Sequence, residues 1–296
     1  RRVLLLALPI AGMAYTIALD PGAAATTAFF GYTLELLRVD KLSLVWGYIF
    51  HIAAFLGVLY AIHEDDPLQA SMAQIYMGSA VAAVFAGDLI TLFVFWEVTA
   101  ISSVFLIWAT GSERSFRSGM RYLIIQVGSG VLLLAGAILI LADTGSITFG
   151  HIGIESLGGK LIFIAFGIKC AFPLLHNWLQ DSYPEATVTG TVILSAFTTK
   201  LAVYALARGY AGTEILIYIG ATMTAFPVFF AVIENNLRRV LAYSLNNQLG
   251  FMVVGIGLGT EMALNGTASH AFAHILYKAL LFMSMGAVLF RAGTVK

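Results

Sequence analysis

Residues 161–179 read LIFIAFGIKCAFPLLHNWL. About 20 apolar residues cross the roughly 30 Å hydrocarbon core of a bilayer, so the stretch is long enough to span. Yet it carries Lys169 near its middle and Pro173 four residues later. Proline has no amide hydrogen, so Pro173 leaves the carbonyl of residue 169 without its helical donor. A lysine and a freed carbonyl at one point imply a kinked span with room for water. Discontinuous helices of this kind are where transporters build ion sites. The plainer reading is a lysine paired to a carboxylate for assembly alone.

The rest of the chain has the same character. Of 296 residues, 59% are hydrophobic and 11% charged, and the mean hydropathy is +0.89. A soluble domain carries about 25% charged residues, so a water-soluble globular fold is excluded. Spanning stretches are expected at 3–19, 42–62, 68–87, 89–110, 122–142, 161–179, 188–207, 215–233, 240–258 and 262–290. No ten-residue units alternate with period 2, which argues against an outer-membrane barrel. The fold expected is an all-α polytopic transmembrane helix bundle with mostly short connections. If the N-terminus and every second loop share a side, that side holds Arg1, Arg2, Arg114, Arg117, Arg121, Arg238, Arg239, Arg291 and Lys296. The other holds Arg38, Lys41, Lys160 and Arg208. The excess favours a cytoplasmic N-terminus. The opening Arg1-Arg2 and the apolar run after it are taken as a spanning helix, with a segment expected before it and a cut expected after Lys296. The zero net charge and the lack of a long basic run exclude nucleic acid as a partner. The single cysteine, Cys170, excludes a disulfide framework and a cysteine-ligated cluster within the chain.

A charge at the bilayer centre costs about 2.5–3.5 kcal/mol on insertion scales, so ionisable residues inside spans point to a protein interior or a wet cavity. Glu97, in Phe95-Trp96-Glu97-Val98, lies too deep to reach the interface. Its alternative reading is a neutral acid bonded to Ser102 or Thr99. Lys200 is equally deep in the 188–207 span. His270, His274 and Lys278 recur at i, i+4 and i+8, each step rising about 6 Å and turning about 40°. They form one stripe that water can link into a proton path. Histidines at i and i+4 can also hold zinc, but residues 271–273 are Ala-Phe-Ala and lack the glutamate of the zinc-protease helix. His51 reads as a satisfied core histidine, Asp88 as a helix N-cap and Pro227 as a kink. His176, just past the break, is a relay or a loop contact. Gln248, with Asn246 and Asn247, makes a neutral cluster able to hold water. Walker, Rossmann and Ser/His/Asp arrangements are missing from the sequence, so neither ATP-driven transport nor hydrolysis is expected.

The run from Lys169-Cys-Ala-Phe-Pro through Asn177-Trp-Leu-Gln-Asp-Ser-Tyr-Pro-Glu-Ala-Thr-Val-Thr-Gly190 to Lys200 resembles the antiporter-like subunits of respiratory complex I and their Mrp-type antiporter relatives. Residues 183–200 are similar, more narrowly, to the D-type subunits of Mrp-type multisubunit Na⁺/H⁺ antiporters. The resemblance implies inverted five-helix repeats, each with a broken helix, in a fold of about 14 helices. It divides the chain into N-terminal helices (1–67), a complete first repeat (68–207) and the start of a second (208–296). It makes Glu97 the key glutamate, Lys169 the broken-helix lysine, Lys200 the bridging lysine, and His270, His274 and Lys278 the central relay. Gln248 stands where complex I relatives often have histidine, and the charged residue of the second broken helix is expected beyond Lys296. The function implied is proton translocation through a Glu97–Lys169 switch, in a multi-pass subunit of a prokaryotic cell membrane. The partners implied are other hydrophobic subunits, the lipid bilayer, H⁺ and Na⁺ or another monovalent cation, with no cofactor in this chain. The competing implication is the pump arm of a complex I-like NADH dehydrogenase or membrane-bound hydrogenase, with flavin or iron–sulfur clusters in partner chains. A membrane half of an inorganic-carbon uptake pair is a third.

Overall fold

A computed structural model describes residues 1–294; Lys296, counted above among the flanking charges, lies outside the described residues. The chain forms α1 (Arg2–Ala18), α2 (Lys41–Tyr60), α3 (Pro67–Phe85), α4 (Leu89–Trp108), α5 (Glu113–Thr144), α6 (Leu157–Lys169), α7 (Asn177–Ser182), α8 (Val188–Gly209), α9 (Ile215–Ile233), α10 (Leu237–Leu258) and α11 (Glu261–Ala292). All ten expected spans are helical, with α6 and α7 sharing the sixth. Among the described residues, seven helices are long and apolar enough to cross a membrane. The other three expected spans depart for visible reasons: α1 is short, α6 is broken, and α10 carries Arg238, Arg239 and a run of amides.

In hydrocarbon, a free helix-end amide has no water to bond, and most of these helices begin at a side-chain cap. Asp40 and Ser43 form a capping box on α2, as Ser112 and Ser115 do on α5. Asp66, Asp88, Ser156, Thr187, Asn236 and Thr260 accept amides of α3, α4, α6, α8, α10 and α11. The cap at Ser112 starts α5 nine residues before its apolar stretch, so the helix exceeds its expected length.

One element lies outside the expected helix bundle. Strands β1 (Ala24–Phe29) and β2 (Tyr32–Arg38) form an antiparallel hairpin between α1 and α2. Phe29 pairs with Tyr32, so the loop is Phe30-Gly31, both at positive φ (46° and 83°). That is the backbone of a type I′ turn, normally announced by Asn-Gly or Asp-Gly. The hairpin went unread because phenylalanine occupies the first loop position.

Alternate spans end together. At one end Arg1 donates to the Asp65 and Asp66 carbonyls, Arg114 pairs with Glu185 at 2.9 Å, and Arg121 pairs with Asp181. At the other, Arg208 pairs with Asp40 at 2.8 Å, Arg38 donates to the Phe149 carbonyl, and the Gly87 amide donates to the Glu35 carbonyl. The described members of the two groups of basic residues read from the loops therefore sit at opposite ends. The axis of the bundle is α8. It touches α2, α3, α4, α6, α10 and α11, and its apolar stretch is wholly buried, against 22% for α9.

Candidate functional site

The sixth span breaks earlier than proline alone requires. Helix α6 ends at Lys169, and Ala171 and Leu174 take positive φ (62° and 69°) before Pro173 and α7 redirect the chain. The Ile168 carbonyl, left at the frayed end, accepts the Trp178 indole at 2.9 Å. This break delivers Lys169 into the bundle with no exposed surface. Its Nζ donates to the Trp96 carbonyl (2.9 Å) and the Thr99 hydroxyl (3.0 Å), and lies 4.2 Å from the centre of the Trp96 ring. Trp96 is fixed in turn by its indole bond to Ser129 at 3.0 Å.

Glu97 follows Trp96 but faces elsewhere. Its Oε1 is buried, has no hydrogen bond from protein, and lies against Gly130 of α5 so closely that a β-carbon there would overlap it. Among the described residues, no carboxylate comes within 4.0 Å of Lys169 Nζ. The expected Glu97–Lys169 pair is thus open here, though the two groups interact electrostatically. The alternative partners of Glu97 are also engaged elsewhere. Ser102 donates to the Val98 carbonyl and Thr99 to the Trp96 carbonyl.

Deeper in, Lys200 is fully buried, and its Nζ donates to the Ser195 carbonyl of its own helix. It interacts electrostatically with Cys170, the residue after Lys169, and with Lys278. Lys278 donates to Ser244 of α10 at 2.8 Å. His274 is wholly buried with neither ring nitrogen bonded to protein, and it interacts with Lys200, Lys278 and His270. The His270 and His274 rings lie 6.0 Å apart, so the i, i+4, i+8 stripe is a single face of α11 turned to α8 and α10. Among the described residues, no three His, Cys, Asp or Glu side chains cluster as a metal site.

The weaker sequence signals resolve individually. Asp88 caps α4 and also accepts the Glu35 amide, and His51 bonds the Gly47 carbonyl at 2.7 Å. Pro227 lies inside α9 without ending it. His176 packs on Phe226 with Nδ1 unbonded, away from the Lys169 cluster's hydrogen bonds. Gln248 accepts from Tyr277 at 3.0 Å and donates to Asn247 at 2.8 Å. Sequence reasoning missed a set of buried polar groups: Tyr76, Tyr122, Tyr183, Thr198, Ser103 and Gln126. Their signal was available, since Tyr76, Tyr122 and Gln126 sit inside or at the edge of apolar runs, but uncharged groups were passed over.

Residues 86–296 match the family described as NADH:quinone oxidoreductase/Mrp antiporter, transmembrane. The chain belongs to this family. Over 232 residues it is 31% identical to the D-type subunit of the Na⁺/H⁺ antiporter of Alkalihalophilus pseudofirmus, covering 72% of this chain and 47% of that protein. It is 32% identical over 228 residues to the N-type subunit of the NADH-quinone oxidoreductase of Desulforudis audaxviator, covering 70% and 45%. The chain spans less than half the length of these two relatives. The solved structure of the Mrp complex from a Dietzia species superposes with TM-score 0.89 at 24% identity, over 99% of this chain and 60% of that one. This member of the NADH:quinone oxidoreductase/Mrp antiporter family thus has the multi-pass membrane fold of the antiporter-like subunits.

Proposed function

We propose that the chain is the proton-translocating part of a membrane subunit in a multisubunit Na⁺/H⁺ antiporter, with 68–207 as a complete repeat, 208–296 as the start of the second and 1–67 as preceding helices. The observation that carries this reading is the placement of Lys169: a wholly buried amine held by neutral oxygens, with a carboxylate one residue from its carbonyl partner and poised on the next helix. An ammonium beside a carboxylate keeps its proton, and one left in a low-dielectric interior gives it up. A swing of Glu97 between Gly130 and Lys169 therefore loads and unloads the amine. Moving one charge across 100 mV takes about 2.3 kcal/mol, which the gain and loss of such a pair can match. The proton then passes by way of Lys200 to His274, His270 and Lys278; the unbonded ring nitrogens of the two histidines are natural partners for internal water. In this reading His176 and Gln248 are side contacts of the path.

Replacing Lys169 with Ala in the assembled complex should abolish ion exchange while leaving assembly intact, read as Na⁺-driven pH change in liposomes. Lys169→Arg should fail as well, because a guanidinium does not release its proton. Full exchange by Lys169→Ala overturns the switch. The near-equal identity to an NADH-quinone oxidoreductase protein supports a second reading, the pump arm of a redox enzyme. Mass spectrometry of the intact complex separates the two: small hydrophobic partners alone support the antiporter, and flavin or iron–sulfur partners support the redox pump.

A further inference from the structure

A second polar cluster closes the other end of α8, where the β1–β2 hairpin and the start of α2 meet it. Arg208 is its centre. Its Nε donates to the Tyr204 hydroxyl at 2.9 Å, and its Nη2 reaches both Asp40 carboxylate oxygens, at 2.9 and 2.8 Å. Tyr204 is 0% exposed, the Arg208 side chain 11% and the Asp40 side chain 36%, so the hydroxyl lies inward of the guanidinium and the carboxylate outward. Lys200, Tyr204 and Arg208 recur at i, i+4 and i+8 on α8, about 6 Å apart along the axis. The rings of Trp46 (5.8 Å) and Phe149 (6.4 Å) flank Tyr204, and both are buried. Trp46 also donates its indole to the Lys200 carbonyl at 3.0 Å, and Tyr204 donates to the Val84 carbonyl. The Lys200 amine points the opposite way, back to the Ser195 carbonyl.

We infer that Arg208 is a fixed cation that closes the bundle at the hairpin end and keeps the protons of that side from Lys200; the inference rests on the proton-path reading above. A guanidinium stays charged at every working pH, so it neither takes up a proton nor passes one on. Its counter-ion lies on the solvent side, so past Asp40 a proton moving toward Lys200 has only the cation ahead of it. Two like charges repel far more strongly in a protein interior than in water, and an arginine can exclude protons from a pore in this way. Tyr204 offers no detour, because its proton is held by Val84 and it accepts from Arg208. Arg38, with Nε 3.9 Å from the same Asp40, places a second cation beside the single acid. The other acids near the hairpin face elsewhere: Glu35 lies against Gly87, and Asp88 accepts the Ile90 and Thr91 amides of α4. With this end closed, a proton reaching Lys200 has come from within the bundle. With it open, protons run down their gradient and no other ion is moved.

The test uses the native complex in phosphatidylcholine–phosphatidylglycerol liposomes with a luminal pH dye. A pH gradient imposed in choline buffer, with a permeant lipophilic ion to dissipate voltage, reads the passive proton leak. Arg208→Gln should raise the leak at least tenfold over the wild type. Arg208→Lys keeps the charge and should stay within twofold. Asp40→Asn breaks the same ion pair but keeps the cation, so it too should stay within twofold. If Arg208→Gln lowers the amount of assembled complex, Arg208→Met, which packs among rings without a polar partner, takes its place. Wild-type leak in the neutral variant overturns the proposal. Leak in Arg208→Lys or Asp40→Asn equal to that in the neutral variant also overturns it, because loosened packing rather than lost charge would then open this end. Adding Lys200→Met to the neutral variant should remove the leak, and a leak that persists overturns the assignment of Lys200 as the group protected. The underlying reading fails separately, if Lys200→Met alone keeps full proton transport driven by a Na⁺ gradient or an electron donor.

Discussion

Lys169 is held by groups that bear no net charge: a carbonyl, a hydroxyl and the face of an indole. A cation over an aromatic face gains about 2 kcal/mol when desolvated, which together with two hydrogen bonds offsets part of the cost of burial without a counter-ion. The counter-ion is nevertheless near, and its position depends on one missing β-carbon. Glu97 lies against Gly130, where any larger residue would overlap its Oε1. Only the flexible end of the glutamate would have to move, so Gly130→Ala should fold. It should even favour α5, since alanine exceeds glycine in helix propensity by about 1 kcal/mol. The displaced carboxylate can only leave α5, which pushes it toward a permanent pair with Lys169. Flux should therefore fall at least tenfold while the melting temperature of the complex holds or rises. Unchanged flux in Gly130→Ala would show that the resting place of Glu97 on α5 plays no part in the cycle.

Among the elements, those governed by local chemistry were legible in the sequence and those governed by partners were not. Ten apolar runs became helical, seven of them among the described residues long and apolar enough to cross a membrane, and the break was foreseen from Pro173. Its extent was not, because the residues between Lys169 and Asn177 are shaped by the Trp178 bond and by two left-handed residues rather than by proline. The hairpin was hidden by its Phe-Gly loop. Where β2 meets α2, Asp40 caps the helix through the Ser43 amide and faces Arg208 and Arg38. Burial pushes the Asp40 carboxyl up, but the Ser43 amide and Arg208 outweigh it and hold the group below its usual value. A carboxylate lowered in this way adds stability that is complete above its unfolded pKa of about 3.9 and is lost as pH falls through the folded value. Asp40→Asn keeps a capping side chain but not the charge. The variant should melt slightly below the wild type at pH 7, and the gap should close toward pH 3. With a side chain about a third exposed the attraction is screened, so the gap should be a few degrees at most, at about 2–4 °C per kcal/mol for chains of 150–250 residues. A gap that widens on acidification would reverse the assigned sign.

Across the whole molecule, the charges picked out in sequence do converge, but on α8 rather than on one another. Lys278 and His274 come from α11 and interact electrostatically with Lys200, and Cys170, the residue after Lys169, does so from the broken span. Spacing within one helix was enough to predict the stripe on α11; no spacing could predict which polar groups of other helices would be buried beside it. The same limit hid a tie between α10 and the turn that follows the broken helix. Arg238, read only as a loop charge, opens α10 and donates to the carbonyls of Ala186 (2.7 Å) and Thr187 (3.3 Å), and to the Thr191 hydroxyl. It thereby binds α10 to the turn that joins the broken helix to α8, the turn that also carries Tyr183. Removing one partner of a buried hydrogen bond costs about 1–3 kcal/mol, and here one guanidinium serves several acceptors. Arg238→Ala should lower the melting temperature of the purified complex by several degrees. Arg238→Lys should recover only part of it, since a point donor cannot replace a planar fork. Because that turn joins the broken span of Lys169 to the helix of Lys200, proton flux should fall with stability in Arg238→Ala, whereas an exposed pair at the same end, Arg117 with Glu113, should be replaceable without either effect. Equal melting of Arg238→Ala and the wild type would mean that α10 and the broken helix are held together by packing alone.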